Sequence, residues 1–199
     1  MPRKARQEII APHTLYHIVS RGNNQRRIFR SPQDYKKFLR ILGQVKREFP
    51  FYLYSYNPLP NHYHLVIETQ QVSISKIMHR INFLYASYFH RRYRTSGHLF
   101  QDRFYSSVIN KETYFWEASR YVDLNAVRAG LVKNPEDYRW SSYLIYYQKE
   151  IKKGLIDRDK FLAYGGDDLE NSRLDYLKFV KEGLKSKKKP KFIKSKWFI

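Results

Sequence analysis

Cysteine is absent from this 199-residue chain, which excludes a disulfide framework, a thiolate nucleophile and Cys-ligated zinc. Acidic residues are scarce beside basic ones, 18 against 38, and the formal net charge is +20. No apolar run reaches the roughly 18 residues that a membrane helix needs. The opening stretch, MPRKARQEII, holds no apolar signal-peptide core. A cytoplasmic protein with no membrane partner is the expectation. Aromatic residues, by contrast, make up 17% of the chain within a hydrophobic total of 42%. That is too many for a disordered chain, and the length suffices for a buried core.

The charge is uneven. Residues 1–111 carry 19 Lys+Arg against 5 Asp+Glu, a balance of +14, whereas residues 112–184 carry 12 against 13. The last fifteen residues hold 7 Lys and no acid. A positive field of this size over the first half points to a polyanionic partner bound with counterion release.

Hydrophobic spacing predicts a strand over 14–20, a Gly22-Asn23-Asn24 turn, and a helix opened by Ser31-Pro32 that runs to about Glu48. A strand over 51–56 is expected to break at Asn57-Pro58-Leu59-Pro60, with His62–Thr69 as its antiparallel partner. A long helix over 73–94, a strand over 103–109 and a helix over 111–129 closed by Gly130 complete the pattern. The order β-α-β-β-α-β-α predicts an α+β fold of the ferredoxin-like split βαβ type. Shorter helices near 139–149, 157–164 and 170–184 predict a small helical extension over 135–184. A basic tail over 185–199 reads as a flexible arm.

Two segments concentrate chemistry. In Asn61-His62-Tyr63-His64-Leu65, a strand projects His62 and His64 from one face. Paired imidazoles hold a divalent metal when a third ligand arrives, but His-x-His alone does not specify one. In Arg120–Gly130, Tyr121 and Asn125 stand one helical turn apart, with Glu117 a turn before and Arg128 nearly a turn after. Phe115, Ala118, Val122, Ala126 and Ala129 form the apolar stripe of that helix, leaving the Tyr–Asn side to meet the sheet.

Together these segments resemble the HUH single-tyrosine transposases, nearest the REP-associated tyrosine transposase branch. The motifs are YHIVSRGNN (16–24), PNHYHLVIE (60–68), SGHLFQDRFYSSVI (96–109), RYVDLNAVRAGLV (120–132) and PEDYRWSSY (135–143). The resemblance implies that residues 1–134 form a catalytic domain that cuts and rejoins single-stranded DNA beside a hairpin, as a monomer or homodimer. It implies His62 and His64 as metal ligands, Asn125 as the third ligand where relatives have Gln, and Tyr121 as the nucleophile of a covalent 5′-phosphotyrosine intermediate. Leu59 replaces a common Met and Ala126 a common Pro, and neither change removes a reactive group.

Such chemistry calls for Mg²⁺ or Mn²⁺ and no nucleotide cofactor, because the phosphotyrosine link conserves the phosphodiester energy. A free tyrosine has a pKa of about 10 and needs a cation or base to act as a nucleophile. The metal or Arg128 is the candidate for the first role, and Glu117 is a weaker one for the second. DNA contacts are expected from Arg21, Asn23, Asn24, Arg26 and Arg27, from Arg91, Arg92 and Arg94, and from Arg103. Tyr93, Phe100 and Tyr105 are candidates to stack on bases. His17 reads as structural. Two other readings remain: a non-catalytic nucleic-acid-binding module, and a metal-dependent nuclease that uses water.

Overall fold

The computed structural model describes residues 12–149 and 154–185; most of the basic tail, residues 186–199, lies outside them. Strands β1 (Leu15–Arg21), β2 (Phe51–Leu59), β3 (His62–Thr69) and β4 (Tyr105–Val108) form one sheet in the order β2-β3-β1-β4, with every neighbouring pair antiparallel. Helices α1 (Pro32–Glu48) and α2 (Ile74–Tyr93) cover one face, where Phe38 meets Tyr63 at a ring separation of 4.6 Å. Helix α3 (Lys111–Asp123) covers the β2–β3 half of the other face. The fold is mixed α+β around a four-stranded antiparallel sheet.

Several expected boundaries move, and the helix near 139–149 shortens to 143–147. β4 begins at Tyr105 rather than 103. β2 does not break at Asn57-Pro58 but continues to Leu59, pairing Asn57 with His64 and Pro58 with Tyr63. β2 is an edge strand, and Pro58 turns its main chain away from β3, with its carbonyl accepting the Tyr138 hydroxyl at 2.7 Å. A proline there forfeits no ladder bond. The helix over 111–129 is interrupted at Leu124, after which α4 (Asn125–Arg128) follows. Carbonyls of the last turn of α3 turn to side-chain donors: Tyr121 O accepts Asn125 Nδ2 at 2.8 Å, and Val122 O accepts Asn57 Nδ2 at 2.7 Å. Gly130, at φ +68°, closes α4 with a Schellman pattern in which Leu131 N donates to Ala126 O at 3.0 Å.

Helices α5 (Tyr143–Tyr147), α6 (Arg158–Leu162) and α7 (Leu169–Gly183) pack on α3 and join its core through Tyr146, Phe161 and Tyr176. The segment leading into and out of α5 also finishes the outer edge of β2. Ser142 N donates to Tyr56 O and Tyr56 N to Ser142 Oγ, both at 2.9 Å. Asp157 N donates to Leu53 O at 2.9 Å and Leu53 N to Asp157 Oδ2 at 2.7 Å, while the Tyr146 hydroxyl donates to Tyr54 O at 2.6 Å. Edge groups that would otherwise template another strand are thereby satisfied without one. Among the described residues, no helix is long and apolar enough to cross a membrane.

Candidate active site

The antiparallel register decides which side chains share the α3 face. His17, Val19 and Arg21 of β1 stand opposite Val66, His64 and His62 of β3, and Asn57 and Leu59 of β2 flank the two histidines. His62 and His64 therefore project together, as alternation predicts, with ring centroids 4.9 Å apart. α3 then lowers Tyr121 onto them. Its ring meets His64 edge-on at 5.9 Å and His17 at 5.6 Å, and only 5% of the residue remains exposed. The Arg128 guanidinium lies 5.0 Å from the centre of the Tyr121 ring, with Nη1 donating to Tyr121 O at 3.4 Å.

His62 and His64 each have a defined neighbour at Nδ1. His62 Nδ1 pairs with Asn61 Oδ1 at 2.6 Å, and His64 Nδ1 with His17 Nε2 at 3.0 Å. Burial holds the rings neutral: His17 falls to about 3. His62 falls to about 4 through burial and the charge of Arg21. His64 falls well below its usual value through burial and then the fields of His62, His17 and Arg128. Burial pushes the Tyr121 phenol up to about 12, against the pull of Arg128.

Asn125 is buried, with its amide nitrogen committed to Tyr121 O. Glu117, half-buried a turn before Tyr121, bears electrostatically on Arg120. Among the described residues no group of three or more His, Asp or Glu side chains is arranged to hold a metal, so the donor set on offer is two imidazoles and an amide. That set fits Mg²⁺ or Mn²⁺ in chemistry: a histidine with Nδ1–H engaged carries its lone pair on Nε2, and a neutral ring is the ligating form.

The expected DNA-contacting residues fall on the 21–27 loop, the C-terminal end of α2 and the segment before β4. Arg21 ends β1 opposite His62. Asn23 and Asn24 lie in a 3-10 turn where Asn24 adopts φ 48°. Arg26 Nη2 donates to His98 O at 2.8 Å, and Asn23 N to Leu99 O at 2.9 Å, which ties the first loop to the 96–100 loop. Arg27, Arg91, Arg94 and Arg103 are exposed. Arg92 is also exposed but engaged, with Nε 3.5 Å from the buried Asp34 carboxylate. Tyr93 donates to the same carboxylate at 2.7 Å, and Phe100 packs on Tyr63, so both serve the core.

His17 at the site and Asp123 at the end of α3 both escaped sequence reasoning. His17, read from the sequence as structural, joins His64 and Tyr121. Asp123 is fully buried between α3 and the C-terminal helices, accepting the Tyr176 hydroxyl at 2.7 Å and the Ser142 hydroxyl at 3.1 Å.

Comparison with known proteins bears on this arrangement. No curated protein resembles the chain closely enough to count as a match. Among solved structures, a REP-associated tyrosine transposase bound to a REP hairpin is similar, with a TM-score of 0.61 at 20% identity over 79% of this chain and 94% of that one. A family model described as "Transposase IS200 like" matches residues 11–125, more than half of the sequence. That span includes His17, His62, His64, Tyr121 and Asn125, and the chain belongs to the IS200-like transposase family.

Proposed function

We propose that the protein is a tyrosine transposase of the REP-associated kind, which cuts and rejoins single-stranded DNA next to a hairpin. The observation that carries this reading is the meeting of Tyr121 with His64 at 5.9 Å under the Arg128 guanidinium at 5.0 Å. The β2-β3-β1-β4 order supports reading the sheet as the ferredoxin-like split βαβ unit. Residues 1–134 then carry the reacting side chains and 135–184 brace them.

In the proposed reaction the Tyr121 hydroxyl oxygen attacks the scissile phosphorus. A tyrosyl O–P bond to the 5′ side forms, the P–O3′ bond breaks, the phenol gives up its proton and the departing 3′-oxygen takes one. Because burial holds the phenol neutral, the Arg128 charge is the built-in aid to its ionisation. A divalent ion held by His62, His64 and Asn125 would neutralise the charge that develops on the phosphate oxygens. Arg21 adds positive charge on the His62 side, and the arginines of the 21–27 loop and the α2 end grip the backbone. The 3′-hydroxyl of another strand reverses the step, so strand transfer needs no nucleotide cofactor.

The test incubates the protein with Mn²⁺ and labelled single-stranded hairpins, followed by denaturing electrophoresis. The expected product is an SDS-stable adduct whose peptide mass maps to Tyr121, lost in Tyr121→Phe while hairpin binding persists. Free 5′-phosphate ends without an adduct would favour water as the nucleophile. Binding without either product would favour a recognition module.

A further inference from the structure

We propose that His17 is a positioning residue: by accepting the Nδ1–H of His64 it fixes that ring's tautomer and orientation, and thereby presents His64 Nε2 to the metal. The inference rests on the metal-assisted reading above and assigns a task to a side chain outside its ligand set.

The geometry is that of an in-plane hydrogen bond. His17 and His64 are diagonal neighbours across the β1–β3 ladder, with His17 opposite Val66 and His64 opposite Val19. Their ring planes differ by only 8°, their centroids lie 5.3 Å apart and the nitrogens 3.0 Å apart. With the nitrogens so much closer than the centroids, the rings meet edge to edge, where the Nδ1–H bond of one points along the lone pair of the other.

His62 repeats the arrangement with a different acceptor. Asn61 Oδ1 sits 2.6 Å from its Nδ1, and a carbonyl oxygen only accepts, so His62 carries its proton on Nδ1 and its lone pair on Nε2. His17 does for His64 what Asn61 does for His62, and the paired histidines then share one tautomer. Both partners belong to the protein rather than to an ion: His17 is fully buried in the inner strand β1, and Asn61 sits in the β2–β3 turn. Outer partners of this kind raise ligand basicity and hold ring orientation. His17 also touches the Tyr121 ring edge at 5.6 Å, so one side chain braces a ligand and the nucleophile together.

The decisive measurement is long-range ¹H–¹⁵N NMR of the histidine rings in the wild-type protein in EDTA at neutral pH. The expected result is His64 protonated at Nδ1 and bare at Nε2, and the reverse tautomer would overturn the inference without any variant. Mn²⁺ titration then separates the levels of the argument. His17→Phe, which keeps a ring but no acceptor, should weaken Mn²⁺ binding about 10–100-fold. His17→Gln, which restores an acceptor oxygen, should recover most of it. If wild type binds Mn²⁺ at a site that His64→Ala abolishes, yet a folded His17→Phe binds equally well, the positioning role fails while the metal reading stands. If wild type binds no Mn²⁺ that His64→Ala removes, both fail.

Discussion

Replacing Asp123 with Asn should make the protein more stable above pH 7 and leave it near wild type at pH 5. The Asp123 carboxyl is fully buried, and burial raises it from 3.8 to about 7 despite hydrogen bonds from Tyr176 and Ser142. Between those two values the folded state holds a proton that the unfolded chain has released. Folding stability therefore falls as pH rises through that window and levels off above it. A difference of about three units at 1.36 kcal/mol each sets the loss at ~4 kcal/mol. Asn carries no charge to bury, but its amide turns a donor toward one of the two hydroxyls, at a cost of ~1 kcal/mol. The net expectation is near parity at pH 5 and a gain of ~3 kcal/mol at pH 8.5. Urea unfolding followed by circular dichroism, in EDTA and at fixed ionic strength, reads this directly. His17 and His62, whose lowered values destabilise the fold toward acid, cancel in the difference between the two proteins. A stability difference that does not change between pH 5 and 8.5, or a variant several kcal/mol weaker throughout, would refute the reasoning.

Three further outcomes follow from the geometry. Gly22→Ala should cost about 1–3 kcal/mol, because a β-carbon there would stand 2.3 Å from Arg26 O and 2.8 Å from Ile28 Cγ2; unchanged hydrogen exchange in the 21–28 loop would contradict it. Pro58→Ala should shift stability by less than ~1 kcal/mol, since the position owes no inward donor to β3, and a larger loss in urea unfolding would contradict the register. Arg91→Gln should lower the salt slope of hairpin binding by about one without changing the melting temperature, whereas Arg92→Gln should also lower the melting temperature because Arg92 contacts Asp34. Fluorescence anisotropy across a salt series and thermal melts distinguish the two.

Elements whose signals are local were legible in the sequence. His62–Thr69 is rich in β-branched and aromatic residues, Ser31-Pro32 opens α1, and Gly130 ends α4 with the positive φ its type favours. What depended on neighbours distant in sequence was not. Pro58 reads as a strand breaker until β2 is known to be an edge, and a helical pattern over 111–129 carries no mark that Asn57 will capture the Val122 carbonyl. The same holds at the site. The shared face of His62 and His64 follows from strand alternation, and the turn between Tyr121 and Asn125 from helical spacing. His17 joined them only through the β1–β3 register, which no local pattern encodes.

The finished edge of β2 also imposes a timetable. Ser142, which closes the main chain of Tyr56, lies 86 residues further along, and Asp157, which closes Leu53, lies 104 residues further. At synthesis rates of about 5–20 residues per second, the strand emerges on the order of 4–17 s before its first cap from this segment. Throughout that interval a nine-residue, mostly apolar strand presents raw donors and acceptors to any other nascent chain. The C-terminal helices thus end a period of exposure as well as bracing a fold, and slow translation between β2 and Ser142 would prolong it.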